Sequence, residues 1–230
     1  MIDFHTHILP GMDDGSHSVE ESLSMLQMLW EEGATAVIAT PHFYANDESV
    51  DAFLARRNAA YENLRARLPE DAPEIRLGAE VRYYPGIAKM SDLKRLRIEG
   101  SRLLLLEMPM TTWTEYTVRE LGELAGKAGL TVVLAHIDRY LAMQKASVWE
   151  RLLKNGVLMQ VNASFFTELR TKRKAISMLK RGEIHFIGSD CHNMTTRPPR
   201  IERAVSTIQK KFGDDFIAQM NEYGTSMLRK

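Results

Sequence analysis

Residues 2–15 read IDFHTHILPGMDDG, and the first βα turn of the chain lies in this stretch. The apolar run at 2–4 predicts a buried strand, and His5 and His7 stand at its end. Because the side chains of a strand alternate in direction, the two imidazoles point to the same side and can bind one metal ion together. The glycine spacing that cradles a dinucleotide after a first strand is absent. The stretch therefore favours a (β/α) barrel over an open doubly wound sheet.

Short apolar runs alternate with segments of helical period along the whole chain, which is typical of repeated βα units around a parallel sheet. Seven strands are predicted, at residues 2–4, 36–39, 75–79, 103–106, 131–135, 158–161 and 185–187. Helices are predicted after Ser18, over 50–68, around 118–124 and 148–153, over 175–181 and after Pro199. Seven units in 230 residues predict an α/β fold with one domain, 1–230. We expect a closed or nearly closed barrel that lacks one unit of the usual eight.

The composition is that of a soluble globule, with 44% apolar and 26% charged residues and a formal net charge of zero. Zero net charge gives no overall attraction to nucleic acid or to an anionic membrane. A single Cys excludes an intrachain disulfide and a thiolate-rich zinc site. No apolar run approaches the roughly 18 to 20 residues of a membrane helix, and the first residues lack the pattern of a signal peptide. We therefore expect a cytoplasmic protein with no nucleic-acid partner and no membrane insertion.

Side chains that bind metal ions follow six of the seven predicted strands. In a (β/α) barrel the chemistry lies at the C-terminal ends of the strands. With Asp14 from the loop after the first strand, the candidate ligands are His5, His7, Asp14, His42, Glu80, Glu107, His136, Asp190 and His192. Asp13 is the alternative to Asp14 in that loop. Imidazole and carboxylate donors without thiolate favour Mn, Fe, Zn or Co, and nine donors suit two or three ions.

Five motifs together resemble a known family. They are DFHTHILPGMDDG at 3–15, TPHF at 40–43, GAE at 78–80, LAHIDRY at 134–140 and GSDCHN at 188–193. In this order they resemble the PHP (polymerase and histidinol phosphatase) metallohydrolases. More narrowly, they resemble the bacterial PHP-type protein-tyrosine-phosphatases of capsule and exopolysaccharide gene clusters. The resemblance implies a distorted (β/α)7 barrel of PHP type with three divalent metal ions at its C-terminal face, manganese foremost and Fe, Co or Zn as alternatives.

The resemblance also implies roles for the candidate residues. It assigns His5, His7, Glu80 and Asp190 to a first ion, Glu80, Glu107 and His136 to a second, and Asp14, His42 and His192 to a third. Two phosphate-binding arginines map to Arg139 and Arg197. His42 or His192 is the candidate general acid, if the reaction uses one. Cys191 stands between two of these ligands, where the family pattern predicts Ala.

The implied activity is that of a metal-dependent protein-tyrosine-phosphatase, in which a hydroxide bridging two ions attacks phosphorus. The implied substrate is a phosphotyrosine protein, the tail of a bacterial tyrosine kinase that controls polysaccharide synthesis. A phenolate leaving group, with a pKa of about 10, needs less protonation than an alkoxide. Cys191 and Arg197 also match Cys-x5-Arg, the spacing of cysteine-dependent phosphatases. Because the residues between them include no glycine and two prolines follow, we interpret that match as coincidence.

Three other functions remain open at this point. A small-molecule phosphatase of the histidinol-phosphate type would use the same scaffold. A metal-dependent amidohydrolase also begins with His-x-His on a barrel, but it does not need two arginines over the metals. A catalytically idle binding protein would show a lost ligand position, and none is lost here. Aromatic residues after several strands, Tyr83, Tyr84, Trp113, Phe165 and Phe166, form either a rim for a phosphotyrosine peptide or ordinary loop packing.

Overall fold

Strands and helices alternate along the chain in the computed structural model, which describes residues 1–229. The strands are β1 (Ile2–Thr6), β2 (Ala36–Ala39), β3 (His42–Phe43), β4 (Glu74–Leu77), β5 (Glu80–Arg82), β6 (Leu103–Glu107), β7 (Thr131–Leu134), β8 (Leu158–Asn162) and β9 (Phe186–Gly188). The α-helices are α1 (Val19–Glu31), α2 (Val50–Arg65), α3 (Glu115–Ala125), α4 (Ala146–Lys154), α5 (Lys172–Lys180), α6 (Glu202–Phe212) and α7 (Asp214–Met227). Short 3-10 helices lie at Ile87–Lys89, Ser91–Leu96, Ile137–Arg139 and Ala163–Phe166.

The strands form one curled parallel sheet in which the last strand returns to the first. The pairing order is β1-β2-β4 in one part and β3-β5-β6-β7-β8-β9 in the other, and every pair is parallel. At the closing edge the His7 N–H donates to the Cys191 carbonyl at 2.9 Å, and the Asp190 N–H donates to the His5 carbonyl at 2.8 Å. Both ends of the chain thus contribute neighbouring residues to one edge of the sheet.

All seven predicted strands are present, and two of them are followed, after a break of two residues, by the short strands β3 and β5, which were not predicted. Residues 40–41 separate β2 from β3, and residues 78–79 separate β4 from β5. Pro41 has no N–H to donate to the ladder, which accounts for the first break. Hydrogen bonds still cross these breaks, from the Gly78 N–H to the Ala39 carbonyl and from the Glu80 N–H to the Pro41 carbonyl. The structure therefore confirms an α/β fold with a curled parallel sheet, while the count of seven barrel units stays a prediction.

Alternate residues of the strands pack into two apolar clusters, so that both faces of the sheet are covered. In β6, Leu104 and Leu106 belong to the larger cluster, which packs against most of the helices. Leu103 and Leu105 belong to a smaller cluster that reaches the end of α7 at Met227. Burial on both faces explains why the strand sequences are continuously apolar rather than alternating.

Side-chain caps fix the starts of the first three helices. Ser18, Ser49 and Thr114 each accept a hydrogen bond from the backbone N–H three residues later, which is the pattern that the Ser-x-x-Glu sequence at 18–21 predicts for α1. The helices predicted from the sequence all form, and two of them follow Pro199. Within residues 1–229, no helix combines the length and apolarity needed to span a membrane.

Candidate metal centre

The structure brings all nine candidate ligands together at the C-terminal ends of the strands. Their donor atoms fall into four overlapping groups, and within each group the atoms lie within 4.8 Å of one another. The groups are His5, His7 and Asp190; His5, Glu80 and His136; His42, Glu80 and Glu107; and His7, Asp14, His42 and His192. Asp13 belongs to none of them. The overlap indicates one continuous centre rather than separate sites.

The donor atoms expected for a first ion surround one point. The Nε2 atoms of His5 and His7 lie 3.1 Å apart. Glu80 Oε2 lies 3.2 Å from the first and 3.3 Å from the second. Asp190 Oδ1 lies 3.7 Å and 3.6 Å from the same two atoms. All four side chains are buried, so the four donors are shielded from bulk solvent.

Glu80 connects this first set to the set expected for a second ion. Its other oxygen, Oε1, lies 2.8 Å from His136 Nε2. Glu107 Oε1 lies 4.0 Å from the same nitrogen. A carboxylate whose two oxygens face different donor sets can bridge two ions. The geometry therefore fits Glu80 as the bridging ligand that the family resemblance implies.

The third set lies nearest to solvent. Asp14 Oδ1 lies 3.4 Å from His42 Nε2 and 3.5 Å from His192 Nε2, and 67% of the Asp14 side chain is exposed. His192 Nδ1 is paired with the Asp190 carbonyl at 3.0 Å, which leaves its Nε2 buried without a hydrogen-bond partner. Burial lowers the pKa of His192 to about 4, so the imidazole is neutral at pH 7. A neutral imidazole with an unpartnered buried nitrogen is what a metal ion requires.

The electrostatics of the centre also fit divalent ions. Burial alone would raise the pKa values of Glu80 and Asp190, yet the surrounding imidazoles hold both below their ordinary range. Burial lowers the pKa of His7, but hydrogen bonds to Asp13 and Glu80 outweigh it and raise that pKa to about 10. Buried carboxylates here attract positive charge from protonated histidines. A metal ion can replace those protons and satisfy the same carboxylates.

The structure separates the roles of the two adjacent aspartates. Asp13 Oδ2 accepts hydrogen bonds from His7 Nδ1 at 2.7 Å and from the His42 N–H at 2.8 Å. Asp13 therefore orients His7 and His42 through groups that do not face the candidate metal centre, while Asp14 faces their donor atoms. The tight turn needs Gly15, because a Cβ there would lie 2.4 Å from the His7 carbonyl oxygen. The repeated Asp in the sequence gave no signal that distinguishes the two.

Gln160 and Tyr140 are positioning residues that the sequence reasoning missed. Gln160 Oε1 accepts from the His136 N–H at 2.6 Å and lies 3.3 Å from His5 Nδ1. The Tyr140 hydroxyl lies 3.1 Å from His136 Nδ1. Gln160 is a fully buried polar residue within the apolar run LMQV. That interruption was the available signal, because a buried amide needs hydrogen-bond partners.

Two ligand candidates have unusual backbone conformations. His136, with φ of 32°, and Asp190, with φ of 55°, are the non-glycine residues of 1–229 that have positive φ. Such conformations are uncommon for residues with a Cβ, and they concentrate at functional sites where the surrounding structure enforces them. Here the Gln160 side chain accepts a hydrogen bond from the His136 N–H, and the His5 carbonyl accepts one from the Asp190 N–H. Strain at these two positions is consistent with a site selected for function.

Both predicted phosphate-binding arginines lie at the centre, where they pair with Asp190. The Arg139 guanidinium donates to Asp190 Oδ2, and Arg197 Nη2 lies 2.8 Å from Asp190 Oδ1. Arg82, which the sequence reasoning missed, pairs with Glu107 at 2.8 Å. Their side chains are 35%, 38% and 40% exposed in that order, so all three are accessible from solvent. The solvent-facing side of the centre thus carries three guanidinium groups, each paired with the carboxylate of a candidate ligand.

Cys191 lacks the surroundings of a phosphatase nucleophile. The side chain is fully buried, and burial raises the pKa of its thiol well above the ordinary value. The backbone N–H groups of Thr195, Thr196 and Arg197 all donate to Asn193 Oδ1, at 3.0, 2.8 and 3.1 Å. These groups are therefore not turned toward a phosphate, as the loop of a cysteine-dependent phosphatase requires. The geometry agrees with the interpretation of Cys-x5-Arg as coincidence.

The aromatic residues after the strands pack into the protein. Tyr83, Trp113, Phe165 and Phe166 are all buried in the larger cluster. Ordinary loop packing, rather than a peptide-binding rim, is the alternative that the structure supports for these four. An exposed aromatic ring beside the ligands is that of Tyr44, whose centroid lies 5.4 Å from that of His42.

Comparison with known proteins assigns the chain to a family. Residues 1–228 match the family model described as "Capsular polysaccharide synthesis, CpsB/CapC". The tyrosine-protein phosphatase YwqE of Bacillus subtilis is 29% identical over 239 residues, covering 100% of this chain and 92% of that protein. The tyrosine-protein phosphatase CpsB of Streptococcus pneumoniae is 31% identical over 229 residues, covering 93% and 91%.

The fold agrees with these sequence matches. A solved structure from work on Bacillus subtilis YwqE and Streptococcus pneumoniae CpsB, described as metal-dependent tyrosine phosphatases, superposes with a TM-score of 0.84. It is 26% identical, and the match covers 100% of this chain and 94% of that one. The resemblance carried by the five motifs is thereby confirmed. The chain belongs to the CpsB/CapC family of capsular polysaccharide synthesis.

Proposed function

We propose that this chain is a metal-dependent protein-tyrosine-phosphatase that hydrolyses phosphotyrosine on a protein. One observation carries the proposal: nine imidazole and carboxylate side chains converge below two accessible arginines. The unpartnered buried nitrogen of His192 supports metal ions as the missing partners. The names of the relatives, tyrosine-protein phosphatases in Bacillus and Streptococcus, support phosphotyrosine as the substrate.

The residues that would hold three divalent ions follow from the donor sets. The proposed first set is His5, His7, Glu80 and Asp190, the second is Glu80, Glu107 and His136, and the third is Asp14, His42 and His192. Manganese is the ion we propose, and Fe, Co and Zn suit the same donors. When bound, such ions lower the pKa of coordinated water toward about 7 and neutralise the charge of the phosphoryl oxygens.

The side chains of the chain itself would bind and orient the phosphate. Arg139 and Arg197 each present a planar fork of N–H donors, which matches two phosphate oxygens. Both already hold the Asp190 carboxylate, so they are positioned to accept an anion at this place. A phenolate, with a pKa of about 10, can leave without full protonation. A general acid, for which His42 and His192 are the candidates, is therefore not essential for this substrate.

The finer parts of the proposal concern architecture and partner. We propose that residues 1–230 form one distorted (β/α)7 barrel of PHP type, which the hydrogen bonds across the two strand interruptions support. The proposed substrate is the tyrosine-phosphorylated tail of a bacterial tyrosine kinase that controls polysaccharide synthesis. We propose that the two proteins meet in the cytoplasm. Membership of a capsular polysaccharide synthesis family supports this partner.

Metal analysis beside a set of substrates tests the proposal. We expect the purified protein to contain divalent metal and to hydrolyse a phosphotyrosine peptide faster than histidinol phosphate, with no activity on an amide panel. His5→Ala, Asp190→Ala and chelation should each reduce the activity by about a thousandfold or more, because each weakens or removes the bound metal ions whose positive charge stabilises the transition state. Phosphatase activity that survives chelation and both substitutions would refute the metal mechanism. Faster turnover of histidinol phosphate would favour the small-molecule alternative.

A further inference from the structure

A recess with a volume of about 350 Å³ opens directly beside the third set of ligands. It lies between the loop that follows β1 and the loop that follows β3. Asp14 and His42 line both the recess and the candidate metal centre. A substrate whose phosphate lies beside Asp14 and His42 can therefore extend into this recess. The volume is within the range of small-ligand pockets, which begins at roughly 300 Å³.

The ring of Tyr44 forms an aromatic part of the wall of the recess. Its ring stacks on the His42 imidazole, with centroids 5.4 Å apart and an angle of 30° between the planes. It lines the recess and is 37% exposed, whereas most aromatic side chains near the strand ends are buried. His42 packs against the ring, and the exposed part of the Tyr44 side chain is available to a ligand in the recess. Met12 adds a second apolar contact on the opposite loop.

Hydrogen bonds hold the two loops of the recess in place. Arg56 Nη1 donates to the Met12 carbonyl at 3.2 Å, in the loop after β1. Its Nη2 and Nε donate to the Glu48 carboxylate at 2.6 and 3.2 Å, in the loop after β3. Asp13 makes a second connection by accepting from the His42 N–H. The recess is thus formed before a ligand arrives, which lowers the entropic cost of binding.

The charges around the recess favour a neutral group over an anionic one. The carboxylates of Asp14, Asp47 and Glu48 all line it, and Arg56 is the basic side chain that faces them. Arg56 is already paired with Glu48. A phosphate or carboxylate would meet net negative charge here, so the anionic part of a substrate belongs with the metal ions and with Arg139 and Arg197. The part that fits the recess is uncharged, flat and apolar.

We infer that this recess is the subsite for the aromatic ring of the substrate, and that Tyr44 is the residue that selects aryl over alkyl phosphate esters. The inference rests on the proposed function and names a determinant of its specificity. Aromatic rings stack in offset or tilted pairs that stabilise a complex beyond the area they bury. The thioether of Met12 makes favourable contacts with ring edges. An alkyl phosphate has no ring to place there and gains neither contact.

Binding of two phosphonates tests the inference without turnover. The manganese-loaded protein is titrated calorimetrically with benzylphosphonate, which carries a ring one atom from phosphorus, and with ethylphosphonate, which does not. We expect the wild type to prefer benzylphosphonate, and Tyr44→Ala to reduce that preference about fivefold, a loss typical of one aromatic pair. Tyr44→Phe keeps the ring and should keep the preference. Tyr223→Ala is the matched control, because Tyr223 is also 37% exposed and stacks on Phe186.

Each outcome decides the question. An unchanged preference in Tyr44→Ala overturns the inference, and so does an equal loss in Tyr44→Phe, which would assign the effect to the hydroxyl. If Tyr44→Ala does not fold, Tyr44→Leu supplies an apolar side chain without a ring and carries the same expectation. Failure of the proposed function is seen separately, as absence of phosphotyrosine hydrolysis by a wild type that still prefers the benzyl ligand.

Discussion

Asp13 Oδ2 accepts a hydrogen bond from His7 Nδ1 at 2.7 Å, on the side of the imidazole opposite to its candidate metal-binding nitrogen. His7 Nε2 then faces Glu80 Oε2 at 3.3 Å. A carboxylate behind a ligating histidine fixes its tautomer and raises its basicity, and removal of such a partner costs about 10- to 100-fold in metal affinity. We expect Asp13→Asn to weaken metal binding by that factor, measured by competition with a chelator.

The control for this substitution is another aspartate of similar charge. Asp51 is 80% exposed and pairs with Arg95 on the surface. Asp51→Asn should leave the metal affinity within about twofold of wild type, since exposed ion pairs contribute little. Wild-type affinity in Asp13→Asn would show that His7 is oriented without its partner.

Gln160→Leu should destabilise the protein and weaken metal binding together. The change leaves the buried His136 N–H without its acceptor at 2.6 Å and removes the contact with His5 Nδ1. An unsatisfied buried donor costs about 1 to 3 kcal/mol, which urea unfolding of the metal-free protein will measure. We expect metal affinity to fall about tenfold as well, because two ligands lose their orientation.

Gln144→Leu separates the two effects of the Gln160 substitution. Gln144 is also buried and also accepts from a backbone N–H, that of Trp113 at 3.0 Å, but it contacts no candidate ligand. The Gln144→Leu variant should lose about as much stability as Gln160→Leu and should retain the metal affinity of the wild type. If Gln160→Leu and Gln144→Leu lose the same amount of metal affinity, the loss in Gln160→Leu results from reduced stability of the whole fold and not from the lost contacts with the ligands.

Cys191→Ser should leave most phosphatase activity, within about threefold of wild type, in an assay with a phosphotyrosine peptide. The thiol is buried with a raised pKa, so it is not available as a thiolate. Chelation of the same sample should remove the activity. Loss of activity in the serine variant, with activity retained under chelation, would instead establish a cysteine mechanism.

Stability should fall between about pH 6.5 and pH 4 through His185. Burial lowers the pKa of His185 to about 4, and its neutral Nδ1 accepts from the Met159 N–H at 3.1 Å. The unfolded chain takes up a proton on this residue from about pH 6.5 downward, whereas the folded chain does so only near pH 4. Protons therefore favour unfolding across this window, by at most about 3 kcal/mol at its acid end.

The measurement is the free energy of unfolding against pH for wild type and His185→Gln. Glutamine does not titrate, and its side-chain oxygen can accept from the Met159 N–H. The difference between the two proteins cancels the pH dependence of the metal ligands, which both contain. Parallel curves from pH 7 to pH 4 would show that His185 titrates alike in the folded and unfolded chains.

The candidate ligands were predictable because parallel strands end at one edge of their sheet. His5, Glu107 and Asp190 are far apart in sequence, yet each stands at a strand end, and that position alone brings them together. The seven strands were likewise visible as apolar runs. The short strands β3 and β5 were not, since each begins only after a break, at residues 40–41 and 78–79.

The surrounding residues were harder to predict, because their roles depend on loop paths and contacts distant in sequence. Gln160 contacts His5 across 155 residues of sequence. Whether Asp13 or Asp14 faces the ligands is decided by the turn at Gly15, which periodicity does not describe. Tyr44 follows the motif TPHF as an ordinary aromatic residue, and only the structure shows its ring on His42.

The hydrogen bonds between residues 5–7 and residues 190–191 at the closing edge have a consequence for the synthesis of the protein. His5 and His7 leave the ribosome more than 180 residues before Asp190 and His192. The first donor set is complete only after the Asp190 N–H has met the His5 carbonyl at the closing edge. A growing chain therefore carries His5 and His7 with incomplete partners until the segment that contains Asp190 has been synthesised. If this set holds a metal ion, as proposed, a chain that ends before Asp190 lacks one of its four donors and cannot form the complete set.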